Sequence, residues 1–405
     1  MPLASVGAPG QLAGTPAAKA IRVVVVDDSR VVRLVLTEVV RQTEGLELAG
    51  VATNGREAVS VVEGARPDVV VLDIEMPVLD GLGALRELKR RSPKMPVIMF
   101  SSLTERGAAA TLTALAEGAD DYLTKPSSSE GPVGAFKAVR RDLVPLLRTW
   151  GEIARARSAT AQPGPAAAPQ PSPHPVPSSP ARPSLLPGAS GALGTGPAGA
   201  RSPSTQSPRH TPQQISAVVI GSSTGGPNAL AASVPHLPND LGVPVLLVQH
   251  MPPTFTKMLA ERLNAQSALE VLEAGTGMRA QPDHLYVAPG GKHMVVARSG
   301  REVVIGLDDG PPENFCKPSV DVLFRSAAQA WGGGALGVVL TGMGHDGLAG
   351  SRAIVAAGGA VIAQDEPTSV VWGMPGAVTT AGVASEVLPI DQIAPNIVRR
   401  VRRRQ

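Results

Sequence analysis

The sequence predicts an α/β protein of two domains, a doubly wound parallel sheet in residues 21–147 and a mainly parallel sheet in residues 215–395. Three observations lead there. The 405 residues exceed what one hydrophobic core usually organises, at roughly 150 residues per domain. Short Val-rich runs alternate with longer amphipathic segments on both sides of a Pro-rich stretch, which is the rhythm of βαβ units. Aromatic residues make up only 2% of a chain that is 43% hydrophobic, so the cores must be built from Val, Leu, Ile and Ala.

Residues 1–20 read as a disordered tail. Within 21–147 the segments 22–26, 68–72 and 96–100 are buried-strand candidates. Residues 148–214 read as a disordered linker: fourteen of the 39 prolines fall between 155 and 214, with Ala, Ser and Gly and no acidic residue. Such a stretch buries too little apolar surface to offset its ordering entropy. After residue 215 the rhythm resumes. Segments 217–220, 243–248, 337–340 and 360–363 read as buried strands, and helices are expected after Pro227, Thr254, Ser319 and Gly347. Shorter strands are expected at 270–273, 285–288, 294–297 and 302–306. Residues 396–405, with Arg399, Arg400, Arg402, Arg403 and Arg404, read as a solvated basic tail.

Composition also excludes functions. A formal charge of +3, without basic runs interleaved with aromatics, gives no reason to expect nucleic acid. The single cysteine, Cys316, rules out an internal disulfide, fits a reducing cytosol and reads as a small buried hydrophobe. The first twenty residues lack the pattern of a signal peptide, and no run of about 18 apolar residues could cross a bilayer. A cytoplasmic protein without membrane insertion is expected.

In the first domain Asp27 and Asp28 close the first strand, Asp73 the third, Ser101 follows the fourth and Lys125 the fifth. Chemistry in an open parallel sheet gathers at the carboxyl ends of its strands, so these residues converge on one rim. Three crowded carboxylates repel unless a hard cation lies among them, and an oxygen-lined pocket suits Mg²⁺. One carboxylate can then act as nucleophile towards phosphorus. A lone strand-end Asp is usually a helix cap, but five such positions together are not. With Asp73-Ile74-Glu75-Met76-Pro77 and Asp80-Gly81, these residues resemble the response-regulator receiver family, a flavodoxin-like fold. The resemblance implies that Asp73 accepts a phosphoryl group from a histidine kinase. It implies that Asp28, Asp73 and the Glu75 carbonyl hold Mg²⁺ with Asp27 in support, and that Lys125 contacts the phosphoryl oxygens. Ser101 and Tyr122 match the family's switch positions.

In the second domain Gly221-Ser222-Ser223-Thr224-Gly225-Gly226-Pro227 follows a strand and precedes a helix that can accept proline in its first turn. It contains G-x-S-x-G around Ser223, a strand-to-helix elbow that projects the hydroxyl and turns amides towards a developing oxyanion. A glycine-rich packing turn and a phosphate cradle are the competing readings. A serine nucleophile needs a base, and His250, at the end of a strand in Gln249-His250-Met251-Pro252-Pro253, sits on the same rim. An orienting carboxylate completes the logic. Asp346, in the loop Thr341-Gly342-Met343-Gly344-His345-Asp346-Gly347, competes for that role with Asp321 and Asp365.

These motifs, with Val287-Ala288-Pro289-Gly290, Gly310-Pro311-Pro312, Pro318-Ser319-Val320-Asp321 and Trp372-Gly373-Met374-Pro375, are similar to the catalytic domain of the CheB methylesterase family. The resemblance assigns Ser223 as nucleophile, His250 as base and Asp346 as its orienter, with the Met343 amide as oxyanion donor and Thr224 in support. It implies a protein-glutamate methylesterase acting on methyl-accepting chemotaxis receptors, with deamidation of certain receptor glutamines. It also implies a chemotaxis histidine kinase as phosphodonor and no cofactor for the esterase chemistry. His345 stands where the family resemblance leads one to expect asparagine.

Overall fold

The computed structural model describes residues 19–126, 131–159 and 214–402. The expected tail at 1–18, linker residues 160–213 and the last three residues lie outside that description.

The N-terminal domain runs β1 (Ile21–Val26), α1 (Arg30–Arg41), β2 (Leu46–Ala52), α2 (Gly55–Ala65), β3 (Val69–Asp73), α3 (Gly81–Arg91), β4 (Val97–Ser101), α4 (Glu105–Ala116), β5 (Asp121–Thr124) and α5 (Gly131–Ala159). All its strands are parallel, in the order β2-β1-β3-β4-β5. Strands β3 and β4 are buried at every residue, as a sheet covered by helices on both faces requires. Each of the first four helices starts on a side-chain cap: Ser29, Asn54, Asp80 and Thr104 accept from the amides of Val32, Glu57, Gly83 and Gly107. These caps satisfy donors that the first helical turn leaves unpaired. The chain thus turns from strand to helix at the sheet's carboxyl edge, where Asp27, Asp73 and Lys125 lie.

Helix α5 corrects the expected linker boundary, because residues 148–159 are helical. Leu143, Leu147 and Trp150 are buried at helical spacing. Trp150 Nε1 donates to Asp121 Oδ2 at 3.3 Å, and Arg155 pairs with Asp68 at 3.0 Å. Composition placed the boundary at Leu147, whereas the apolar stripe carries the helix past it.

The second domain runs β6 (Ala217–Ser222), α6 (Gly226–Ser233), β7 (Val245–Gln249), α7 (Phe255–Gln266), β8 (Glu270–Glu273), β9 (His284–Val287), β10 (His293–Ser299), β11 (Glu302–Asp308), α8 (Val320–Trp331), β12 (Ala335–Val339), α9 (Leu348–Ala356), β13 (Ala360–Gln364), α10 (Met374–Thr380), β14 (Glu386–Leu388) and α11 (Ile390–Arg402). Seven parallel strands follow the order β14-β13-β12-β6-β7-β9-β8, and β10 with β11 forms an antiparallel hairpin. From β6 the chain builds outward through β7, then crosses back to lay β12 on the other side of β6. The crevice at the carboxyl ends of β6 and β12 is therefore a topological switch point, where ligands bind in open α/β sheets.

Residues 396–402 are not a solvated tail. Ile393, Ala394, Ile397 and Val401 of α11 are buried. Arg399 and Arg400 pair with Glu386 at 3.1 and 2.8 Å, and Arg402 with Asp240 at 2.6 Å.

The domains meet along helix α4. It packs on α7 and α6, the Arg262 guanidinium donates to the Leu112 carbonyl, and the rings of Tyr122 and Phe255 stack. No helix among the described residues is long and apolar enough to cross a membrane.

Candidate functional site

Two sites occupy the two sheet rims. In the N-terminal domain Asp27, Asp28 and Asp73 bring carboxylate oxygens within 4.8 Å of one another. Lys125 Nζ lies 2.9 Å from Asp73 Oδ1 and 3.0 Å from Asp27 Oδ2. Asp73 is 1% exposed. Burial pushes its carboxyl up to about 6, with the charge of Asp27 adding to the effect and Lys125 opposing it. Asp73 Oδ2 is buried without a hydrogen-bond partner among the described residues. A buried carboxylate oxygen left bare, in a ring of oxygen donors, fits a small hard cation. Ser101 Oγ donates to the Gly107 carbonyl at 3.0 Å, at the start of α4. The Tyr122 ring stacks on that of Phe255 in the second domain.

The rim of the second sheet is built by three adjacent strands. The Ser223 amide donates to the Thr341 carbonyl at 3.0 Å and the His250 amide to the Ser222 carbonyl at 3.1 Å, tying the ends of β6, β12 and β7 together. Gly225, at φ 74°, makes the left-handed turn of the elbow, which side chains resist. At Gly226 a Cβ would meet Gln249 Oε1 at 1.9 Å. That amide links the strands: Ser222 Oγ donates to Gln249 Oε1 at 2.7 Å, and Gln249 Nε2 donates to the Ser223 carbonyl at 2.9 Å. Thr224 is buried, and its carbonyl accepts from Thr341 Oγ1 at 3.0 Å. Met343 follows Gly342, where a Cβ would stand 2.9 Å from Ser223 Cβ.

Of the three aspartates left open by the sequence, Asp346 is the one whose carboxylate meets His250. His250 Nε2 and Asp346 Oδ2 are 2.8 Å apart. Asp346 is 2% exposed and accepts from Ser319 Oγ, Asn314 Nδ2 and the amides of Val320, Asp321 and Gly347, at 2.7 to 3.0 Å. The Val320 and Asp321 amides open helix α8, whose N-terminus favours an anion. Burial pulls the Asp346 carboxyl up, but His250 and these amides outweigh it and hold it well below the carboxylate range. Asp321 instead accepts from the Gly350 amide at 2.6 Å, and Asp365 from Thr368 Oγ1 at 2.5 Å. His345 is exposed, which accounts for the tolerance of histidine beside a buried aspartate.

The second ring nitrogen of His250 was not anticipated. Nδ1 lies 3.4 Å from Cys316 Sγ, so the cysteine read as a small buried hydrophobe touches the imidazole. Burial pulls the imidazole down, yet the Asp346 carboxylate and then Cys316 outweigh it, and the group is pushed up to about 9. The Ser223 hydroxyl makes no hydrogen bond among the described residues. Ser223 and His250 line a cleft of about 210 Å³ whose opposite wall, with Leu115, Tyr122, Leu123 and Leu146, belongs to the first domain. Gln249, Asn314, Ser319 and Cys316 were all missed as site residues. Only their positions beside strand-end and helix-start motifs could have flagged them.

Residues 218–397 match the CheB methylesterase family and residues 23–133 the response regulator receiver domain. The chain is 46% identical over 387 residues, 94% of each chain, to a protein-glutamate methylesterase/protein-glutamine glutaminase of group 2 operon from Bradyrhizobium diazoefficiens. It is 44% identical over 386 residues, 95% of this chain and 96% of that one, to a protein-glutamate methylesterase/protein-glutamine glutaminase from Nocardioides sp.. The crystal structure of the Thermotoga maritima CheB methylesterase catalytic domain aligns at 41% identity, covering 46% of this chain and 99% of that one, with a TM-score of 0.45. The chain therefore belongs to the protein-glutamate methylesterase/protein-glutamine glutaminase family, in which a receiver domain precedes a CheB methylesterase domain.

Proposed function

We propose that this enzyme hydrolyses glutamyl methyl esters on methyl-accepting chemotaxis receptors, and deamidates receptor glutamines by the same acyl chemistry, through Ser223, His250 and Asp346. The observation that carries this reading is the His250–Asp346 pair, 2.8 Å apart, on the cleft that also holds Ser223. Asp346 fixes the tautomer with hydrogen on Nε2, leaving the Nδ1 lone pair to take the Ser223 proton. The nucleophile–base contact is open here, as it often is before substrate binds. Ser223 Oγ attacks the ester carbonyl, and the Met343 amide, engaged by no hydrogen bond among the described residues, faces the oxyanion. His250 returns the proton to the methoxy leaving group, releasing methanol and an acyl-enzyme. Water, deprotonated by the same imidazole, then frees Ser223 and the glutamate carboxylate.

Control rests on Asp73, whose carboxylate attacks the phosphorus of a histidine-kinase phosphodonor, breaking its P–N bond and releasing the kinase imidazole, while Lys125 meets the phosphoryl oxygens. Asp28, Asp73 and the Glu75 carbonyl, with Asp27 in support, would hold Mg²⁺, which supplies charge neutralisation at the transferring phosphoryl group. The unphosphorylated receiver walls the catalytic cleft and restricts receptor helices. Methanol release from a methylated receptor fragment, with and without a small phosphodonor and Mg²⁺, tests the whole reading. Ser223→Ala should abolish release, and Asp73→Ala should keep basal release but ignore the phosphodonor. Substantial turnover by Ser223→Ala would move the nucleophile elsewhere.

A further inference from the structure

The pairing of Cys316 with His250 has no part in ester hydrolysis as derived above, and its geometry is that of two adjacent ligands on one metal ion. A tetrahedral zinc ion holds nitrogen at about 2.0 Å and thiolate sulfur at about 2.3 Å, which sets the two donors roughly 3.5 Å apart across an edge of the tetrahedron. The separation between His250 Nδ1 and Cys316 Sγ is 3.4 Å. His250, Cys316 and Asp346 together bring their donor atoms within 4.8 Å of one another, although the Asp346 oxygens are already occupied as acceptors.

The outer shell is that of a zinc histidine. Ligating imidazoles commonly donate their other ring nitrogen to a carboxylate, which fixes the tautomer and raises the basicity of the ligating atom. His250 Nε2 donates to Asp346 Oδ2 at 2.8 Å, and Asp346 itself accepts from five further donors. The sulfur is also held in place. Glu313 and Cys316 exchange both backbone hydrogen bonds, at 3.1 and 2.9 Å, around Asn314 and Phe315, which both sit at positive φ. That tight reversal presents Cys316 towards the imidazole on a fixed backbone. The donor set, one thiol and one imidazole, selects soft or borderline cations and disfavours Mg²⁺. The Asp27, Asp28 and Asp73 cluster has the opposite, all-oxygen preference.

We propose that His250 Nδ1 and Cys316 Sγ form a binding site for Zn²⁺, and that occupancy inhibits the enzyme reversibly. The Cys316 thiol loses its proton to solvent as the metal binds, and two coordination positions remain for water. Binding takes the lone pair that would accept the Ser223 proton, so it removes the general base without displacing Asp346. The inhibition rests on the catalytic reading given above, whereas the occupancy does not.

Two measurements on the full-length chain separate them. Cobalt(II), a spectroscopic stand-in for zinc, should produce a thiolate-to-metal charge-transfer band, and Zn²⁺ should bleach it. The band should vanish in Cys316→Ser and in Cys316→Ala. Zn²⁺ should also inhibit methanol release, with recovery on adding a chelator. The midpoint should rise by at least the ~10–100-fold that loss of even an outer-shell partner costs, in whichever cysteine variant folds, each referred to its own metal-free rate. Absence of the band in the wild-type chain overturns the site. A band with undiminished hydrolysis keeps the site but overturns its inhibitory role, and an unchanged midpoint in both variants places the inhibitory zinc elsewhere.

Discussion

The ring of Tyr122 stacks on that of Phe255, with centroids 5.1 Å apart and planes 12° apart. Tyr122 lies in β5, three residues before Lys125, and Phe255 opens α7 two residues past Pro253 in the loop from His250. A single aromatic contact thus joins the strand that leads to Lys125 to the helix that follows His250. Stacked aromatic pairs contribute about 0.5–1.5 kcal/mol beyond the area they bury. Tyr122→Ala should therefore shift the closed arrangement towards open and raise receptor demethylation by the unphosphorylated chain roughly 2- to 10-fold. Cleavage of a small ester should change less, since such a substrate passes the receiver wall. Equal receptor rates for Tyr122→Ala and wild type would show that this contact does not restrain access.

Asp346→Asn should slow hydrolysis severely, by roughly 10³- to 10⁴-fold, because the amide cannot stabilise an imidazolium or enforce the tautomer. It would also turn an NH₂ towards one of the amides or hydroxyls that now donate to the carboxylate. Asp365→Asn is the control: it weakens a loop contact with Thr368 and should leave turnover within a few-fold of wild type. A crippled Asp365→Asn beside an active Asp346→Asn would reverse the assignment.

The sequence revealed most of what position on a strand can reveal. Asp73 ends a buried Val-rich strand, Ser223 and His250 each directly follow one, and Lys125 follows the shorter β5, so their shared rims followed from the parallel sheet alone. The choice among Asp321, Asp346 and Asp365 did not follow. It depends on which carboxylate the α8 amides and Ser319 surround, a tertiary fact with no local signal. Cys316 was misread for the same reason, since its contact with His250 spans 66 residues and comes from a turn outside any regular element. The two boundary errors differ in kind. At α5 and α11 the apolar stripes Leu143/Leu147/Trp150 and Ile393/Ile397/Val401 were legible, but proline- and arginine-rich composition outweighed them.

The acid limb of kcat/KM should report His250. In the proposed mechanism His250 works as neutral imidazole, and Asp346 and Cys316 push the group up to about 9. Activity should therefore climb about tenfold per pH unit from neutrality towards that value and then level off. Removing the thiol removes one of the influences that raise the group. Cys316→Ser should move the limb to lower pH and increase activity at pH 7 relative to the plateau. A wild-type limb near 6.5, unmoved by Cys316→Ser, would show that neither partner holds the proton on the ring.

Asp121 offers a test of stability. Its side chain is 7% exposed by residue surface and accepts from the Tyr122 amide at 2.8 Å and Trp150 Nε1 at 3.3 Å. Burial raises the carboxyl to about 7, more than these two donors lower it. The folded form then keeps a proton that the unfolded chain, titrating near 3.8, has lost. Between those values the native state binds more protons, so its stability falls as pH rises, and above about 7 the full penalty applies. At ~1.4 kcal/mol per pKa unit the penalty is on the order of a few kcal/mol. Asp121→Asn cannot ionise, and turning one NH₂ towards a former donor costs about 1 kcal/mol. The variant should therefore melt above wild type at pH 8.5 and at or slightly below it at pH 4, with the curves crossing in between. A loss of stability at pH 8.5 as large as that at pH 4 would mean that Asp121 is ionised at little cost and that its two hydrogen bonds dominate.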